Sequence, residues 1–254
     1  DRGRRRRRAM IGHLFLVELL KIRRSLVLVM TLVCPLAIVG FMFLMTLRAW
    51  DPPEMTGADM ARFWSDVVST WAYFMLPLFV ALVTSLIHGH EHRNQTWRLM
   101  LSLPIGVDAL YIAKALLAIA LTLCAHAILL VSIVLALWAF GLAGYDLTGA
   151  FDLRSWRVLW APAVAALPML AIQHGLAWHF RSLVPPLSIA VIATFVGMEL
   201  AATRLWVWVP WSYPTVSITA QTVEAQRLAL LLSPVIGAVV FQLGLRRLRR
   251  QEIV

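Results

Sequence analysis

Long apolar runs separated by short polar stretches organise this chain. Six such runs fall at about 26–47, 67–87, 112–142, 159–178, 187–203 and 228–245. A hydrocarbon core roughly 30 Å thick needs about 20 apolar residues in helical form. The pattern therefore predicts six spanning helices and an all-α, polytopic membrane protein. The third run is long enough to tilt or to project beyond the bilayer. The fifth is short unless it continues through Arg204 into Trp206 and Trp208. Pro35, Pro77, Pro162 and Pro168 lie inside these runs, and each predicts a local kink that neighbouring groups must satisfy.

Ahead of the first run, residues 10–25 read as a separate amphipathic helix. At 100° per residue, His13, Glu18, Lys21, Arg24 and Ser25 share a sector of about 140°. Ile11, Phe15, Leu16, Leu19, Leu20 and Ile22 occupy most of the rest. Such a helix is expected to lie in the membrane interface as an elbow, its charges toward anionic headgroups. Residues 1–9, with six arginines, read as a disordered basic tail. Residues 10–254 then form a single membrane domain. The outer segment 204–226 carries Trp206, Trp208, Trp211 and Tyr213 with Pro210 and Pro214. An aromatic girdle at the interface or short re-entrant helices both fit it.

Composition supports the membrane reading. The chain is 61% hydrophobic and only 14% charged, against about 25% charged in an average soluble domain. A net charge of +10 in a soluble protein would suggest nucleic acid. Here the charge sits at the chain ends and in short loops, so no folded basic face remains for nucleic acid. With the N-terminus inside, 17 of the 23 basic residues fall on the inner side, and 11 without the tail, against 6 outside. That asymmetry predicts a cytoplasmic location for both termini. Cys34 and Cys124 fall within apolar runs, where they pack as small hydrophobes.

The inner stretch after the second run is the richest in polar residues. His88, His90 and His92 suggest a metal at first sight. They lack the Cys or carboxylate partners of a tetrahedral set, and His90-Glu91-His92 is not H-E-x-x-H. A wet loop is the reading adopted, with no metal. Beyond them Trp97, Met100 and Leu101 form one apolar strip flanked by Arg93, Asn94 and Arg98, and Pro104 ends the helix. Asp108 is expected to cap the next one. A helix of about three turns is marginal alone, so it needs a surface: its own bundle, lipid or a partner's groove.

These residues carry a resemblance. Glu18-Leu19-Leu20-Lys21 before Arg23-Arg24-Ser25, then Glu91 through Thr96-Trp97-Arg98 to Leu101-Ser102-Leu103-Pro104, then Tyr111-Ile112-Ala113-Lys114, resemble small bacterial export permeases of the second ATP-binding-cassette class. The branch resembled includes permeases for lantibiotic self-protection and bacitracin-type resistance. The resemblance implies an elbow helix and a coupling helix that docks on a separate cytoplasmic ATPase dimer. It implies a second permease chain, identical or paralogous, in a bacterial cytoplasmic membrane. Glu91, Arg93, Asn94, Gln95, Thr96, Trp97 and Arg98 take the motor-facing positions. Gln95 stands where that family has a small residue. The cargo implied is a peptide antibiotic, a drug or a lipid-like amphiphile.

The motor must be another polypeptide, because no G-x-x-x-x-G-K-[ST] occurs and Gly is nowhere followed by Lys. ATP and Mg would then sit on the partner, with no cofactor on this chain. Within the spans Glu199 is the acid that invites a translocation or gating role. A structural contact near Thr203 and Arg204 is the plainer alternative. Rival readings are weaker. No G-x-S-x lies in a span, and Gly144-Tyr145-Asp146 has no partner motif, which argues against an intramembrane enzyme. An autonomous secondary transporter predicts inverted halves and several buried charges, which the sequence does not display.

Overall fold

The computed structural model describes the backbone of residues 2–49, 56–93, 106–151 and 153–251, and side chains over 9–48, 56–89, 106–151 and 158–250. Ten α-helices account for almost all of it, with no strand among the described residues. Six are long and apolar enough, alone or joined end to end, to cross a membrane: Leu26–Arg48, Gly57–Gly89, Val107–Leu142, Val158–His179, Val184–Ala201 and Val223–Arg250. The chain is a multi-pass, all-α membrane protein, and each predicted run finds its helix.

Helix α1 spans Arg2–Ile22, so the helix continues back through arginines expected to be a disordered tail. Arginine is a good helix former, and the block simply extends the helix that follows. The expectation for α1 is corrected at Glu18, which does not turn to the headgroups with the other charges. Leu14, Glu18 and Ile22 form the buried stripe, whereas Leu16, Leu19 and Leu20 are exposed. Apolar groups face outward here, and a carboxylate faces the protein. That inversion suits a helix bathed in lipid, where buried polar groups must find partners inside the bundle.

The first span, α2 (Leu26–Ala49), follows a three-residue turn in which Ser25 Oγ donates to Ile22 O at 3.0 Å. The second begins ten residues earlier than its apolar run. Thr56 and Asp59 form a capping box, with Thr56 N donating to Asp59 Oδ2 at 2.9 Å. It starts α3 (Gly57–Thr70), so Asp59 and Asp66 lie on a helix. A five-residue π-turn, Trp71–Met75, links α3 to α4 (Leu76–Arg93), with Leu76 N donating to Trp71 O. Pro77 explains this: it has no N–H for the carbonyl four residues back, and the preceding turn widens.

The third span is one uninterrupted helix, α5 (Val107–Leu142, 36 residues), against which α1, α2 and α4 pack. Its N-cap is Gly106, not Asp108, which sits inside the first turn. Its far end is a full Schellman motif. Gly144, at φ +91°, takes the left-handed position, Tyr145 N donates to Phe140 O at 3.1 Å and the two rings pack at 5.1 Å.

The fourth span breaks at Ala166 between α6 (Leu153–Ala165) and α7 (Leu167–His179), with Pro168 in the first turn of the second half. Helix α8 (Val184–Ala201) makes the fifth span and α10 (Val223–Gln251) the sixth. Between them lie two 3₁₀ turns and α9 (Tyr213–Thr219). This segment packs inward more than a girdle would. Trp206, Trp211 and Tyr213 are buried, Tyr213 Oη donates to Val207 O at 2.6 Å and Ser212 Oγ to Trp206 O at 2.9 Å.

At the same end of the bundle Asp146 joins two elements. It accepts from Thr148 Oγ1 at 2.6 Å and Thr148 N at 2.9 Å, and from Gly57 N at 3.2 Å. Gly57 lies so close to the Thr148 carbonyl that a Cβ would overlap it. The Thr148 hydroxyl, then the Thr148 and Gly57 amides, hold the Asp146 carboxyl below its usual 3.8. A carboxyl lowered on folding stabilises above its unfolded pKa, and the contribution is lost as pH falls through the folded one. We expect Asp146→Asn to speed hydrogen exchange at the Gly57 amide at pH 6. The difference from wild type should vanish once the pH is below the folded value, under about 4.

Candidate coupling site

Only two of the 23 basic residues are lysines, Lys21 and Lys114, and the fold brings both to Glu18. Lys114 on α5 donates to Glu18 Oε2 at 2.6 Å, with side chains 1% and 3% exposed. Lys21, one turn along α1, donates to Glu18 Oε1 at 2.5 Å. The Lys114 ammonium also donates to Ile87 O at 3.2 Å. Ile87 belongs to the last turns of α4, and Lys114 to the second turn of α5. Three helices meet at one carboxylate.

The placement follows from local sequence. Leu14, Glu18 and Ile22 recur every four residues and so share one face of α1. Leu14 packs on Ala109 and Ala113 of α5. Two alanines let the helices approach closely enough for Lys114, which follows Ala113 at the flank of that face, to meet Glu18. A buried ion is costly unless paired and hydrogen-bonded. Here each carboxylate oxygen takes one ammonium, and Lys114 also has a backbone carbonyl to donate to.

A ring cluster lies beside this latch. Tyr111, one turn before Lys114, packs on His174 at 4.2 Å and Trp178 at 5.1 Å from α7, and stacks on Phe241 of α10 at 5.1 Å. His88 of α4 meets His174 at 4.8 Å and Trp178 at 5.5 Å. His88 is 1% exposed, so it belongs to the bundle interior and not to a wet loop. Helix α4 continues past it to Arg93. On the outer side of α5, Arg249 of α10 donates to Asp108 at 2.9 Å.

These contacts surround a segment rather than a cavity. Glu91 and Arg93 lie on the last turn of α4, with their side chains outside the described residues. Asn94, Gln95, Thr96, Trp97 and Arg98 fall outside them entirely. What is described is how their two roots are held. The leading root is held through the Ile87 carbonyl, and the trailing root through Lys114 and Asp108. Glu18 reaches both through one ammonium.

The remaining sequence candidates are not part of this cluster. His13 on α1 and Arg24 in the turn after it are exposed, with His13 Nδ1 2.7 Å from Ala9 O. Glu199 is exposed near the end of α8, on a face with Phe195, Val196 and Ile192. It makes no hydrogen bond or ion pair with Thr203 or Arg204. Thr203 donates instead to Leu200 O and accepts from Leu205 N. His126 is buried, with Nδ1 2.8 Å from Thr122 O and Nε2 accepting from Trp71 Nε1 at 3.2 Å. That fixes a neutral tautomer among the helices.

Sequence reasoning did not pair Glu18 with Lys114. A helical wheel gives the faces of one helix but not what each face meets. The available signal was the rarity of lysine: in an arginine-rich chain, two lysines near helix ends ask what a compact ammonium does there that a guanidinium cannot.

Comparison with known families gives one result. A family model described as ABC-2 family transporter protein matches residues 14–197, which include the latch and both roots of the loop and end just before Glu199. No curated protein and no solved structure matches the chain.

Removing one partner of a buried pair strands the other, at a cost of about 3–5 kcal/mol. Lys114→Met and Glu18→Leu are each expected to lower stability by that order in thermal unfolding in micelles. The double variant Glu18→Leu/Lys114→Met should recover most of the loss, since an apolar pair of similar volume is often neutral or better. A loss in the double variant equal to the sum of the two single losses would show that the two residues do not act as a pair.

Proposed function

Because the chain belongs to the ABC-2 family of transporter proteins, we propose that it is the permease subunit of an ATP-driven exporter. In this reading it pairs with a second permease chain, identical or paralogous, above two separate cytoplasmic ATPases in a bacterial inner membrane. The family is one of transport subunits, and six apolar helices supply the membrane domain. The observation that carries the reading further is the latch. A loop clamped at both roots to one buried carboxylate is suited to transmit force, because displacement at its tip cannot be absorbed by its own ends.

The mechanism is a rocking cycle. ATP, with Mg held on the partner, closes the two ATPases and displaces the loop residues Glu91, Arg93, Asn94, Gln95, Thr96, Trp97 and Arg98. Trp97 supplies the buried anchor and the arginines its charged rim, the composition that dominates protein interfaces. The displacement passes through Ile87 and Lys114 to α4, α5 and α1 together. Paired bundles then alternate access to a path between them. A ligand-dependent difference in energy between the two states drives the switch. The cargo class that suits a chain with small outer loops is taken from the membrane or the inner face: an amphipathic peptide antibiotic, a drug or a lipid-like amphiphile.

The decisive experiment is capture of the ATPase by the tagged permease. Trp97→Ala with Arg98→Ala should weaken capture by about tenfold or more, as loss of one interface anchor does, while thermal stability stays unchanged. Undiminished capture would remove the loop as the docking surface. Glu199 is turned away from its own bundle, where the path or the second permease lies in this reading. Glu199→Gln is therefore expected to lower transport without altering the melting temperature. Unaltered transport in reconstituted vesicles would take Glu199 out of the mechanism.

A further inference from the structure

Helices α7 and α10 lie side by side and run in the same direction. Ser233 Oγ is 3.3 Å from Ala165 O at one end, and Gly237 lies against Leu167. Further along, the two helices part around a cavity of about 350 Å³. Its deep end is formed by Ile172 and Val240. Its other end, two turns or about 10 Å nearer the C-terminus, is formed by His179 and Arg247. Both of these are exposed. The floor is the hydroxyl of Tyr111, a residue only 1% exposed, which reaches across from α5.

Two glycines build this floor. A Cβ at Gly244 would come within 2.5 Å of Tyr111 Oη, so only glycine admits the ring there. A Cβ at Gly175 would meet the same oxygen at 3.8 Å, an ordinary contact, so Gly175 leaves room instead of relieving a clash. The result is a groove that is apolar at depth and has a phenol, an imidazole and a guanidinium toward its mouth.

The charge at the mouth is uncompensated. Arg249, on the same turn, is taken by Asp108, whereas Arg247 has no carboxylate partner among the described residues. Basic pockets between spanning helices, at the level of the headgroups, are the form of site that anionic phospholipids occupy. An acyl chain matches the apolar depth, and a phosphate matches the mouth.

We propose that the groove between α7 and α10 binds one anionic phospholipid of the surrounding bilayer. Its phosphate sits on Arg247 and His179, Tyr111 Oη donates to an ester or phosphate oxygen, and one acyl chain lies along Ile172, Leu176 and Val240. The groove lies beside the latch but uses neither Glu18 nor Lys114, so it stands whether or not the exporter reading does.

The test uses the full chain in phosphatidylcholine vesicles. They carry a trace of phosphatidylglycerol with a diazirine in the acyl tail or, in parallel, phosphatidylcholine with the same tail. After photolysis, peptide mapping should place label on 172–176 and 240–243, with phosphatidylglycerol exceeding phosphatidylcholine by about fivefold, the discrimination one interfacial arginine supplies. Arg247→Gln should abolish that preference, whereas Arg246→Gln, on the same turn outside the groove, should preserve it. Gly175→Leu should reduce labelling by both lipids. Equal labelling by the two lipids, a preference that survives Arg247→Gln, or no label on these peptides would each overturn the proposal. The arginine variants change exposed side chains, so they remain informative if Gly175→Leu fails to fold.

Discussion

A single carboxylate decides how the helices at the terminal end of this bundle are arranged. Glu18 is buried, and a buried carboxylate must be paired or it will not stay there. Its partner Lys114 fixes α1 against α5, and the second acceptor of Lys114, the Ile87 carbonyl, fixes α5 against α4. The ammonium suits this duty better than a guanidinium would. It is compact and directs three donors in different directions, whereas arginine offers a planar fork matched to one carboxylate. In a chain that otherwise uses arginine for its positive charge, lysine occurs at the two positions where Glu18 needs it.

The medium explains the rest of the pattern. The expected α1 lay in the membrane interface with its charged sector, Glu18 included, toward the headgroups. Immersed among apolar surroundings, Leu16, Leu19 and Leu20 cost nothing outside, and Glu18 is the residue that must be enclosed. The same rule governs the interior elsewhere. His126 and Trp71 satisfy each other across two spans, and the hydroxyls of Thr31, Thr84 and Thr122 return to carbonyls three or four residues back on their own helices.

What could be read from the sequence was one-dimensional. Six apolar runs gave six spans, because length and hydropathy alone determine whether a helix can cross. Starts and breaks were partly encoded and partly missed. Thr56-Gly57-Ala58-Asp59 is a capping signature close to S/T-x-x-E, yet it lies ahead of the apolar run that was read as the second span. Pro77 was read as a kink, whereas its effect is a π-turn just before it. The burial of Glu18, His88, Trp206 and Trp211 was not legible, since each depends on which neighbour a face meets. Asn94–Arg98, the residues expected to face a partner ATPase, lie outside the described residues, so only the roots of that loop carry structural weight.

The arrangement of breaks then constrains how the bundle can deform. Helix α5 runs 36 residues, about 54 Å, without proline or interruption. One end is fixed to α1 and α4 by Lys114 and to α10 by Asp108. The other closes in the Gly144 turn, whose Asp146 holds the start of α3. A strut tied at both ends transmits displacement and does not absorb it. The second span is tied to that strut at the same two levels, through Gly57 and Ile87, but carries the π-turn at Trp71–Met75 between them. The fourth span is divided at Ala166. Relative movement of the loop roots against the outer end must therefore be taken up where the regular hydrogen-bond ladder is already interrupted, in the second and fourth spans, with α5 as the fixed reference. The Trp71–His126 bond joins the π-turn to the middle of that strut, so bending there repositions a buried polar contact as well as a backbone. A switch between two discrete arrangements is easier to build on such a contact than on apolar packing alone, because a hydrogen bond in this setting is either made or costly to leave unmade.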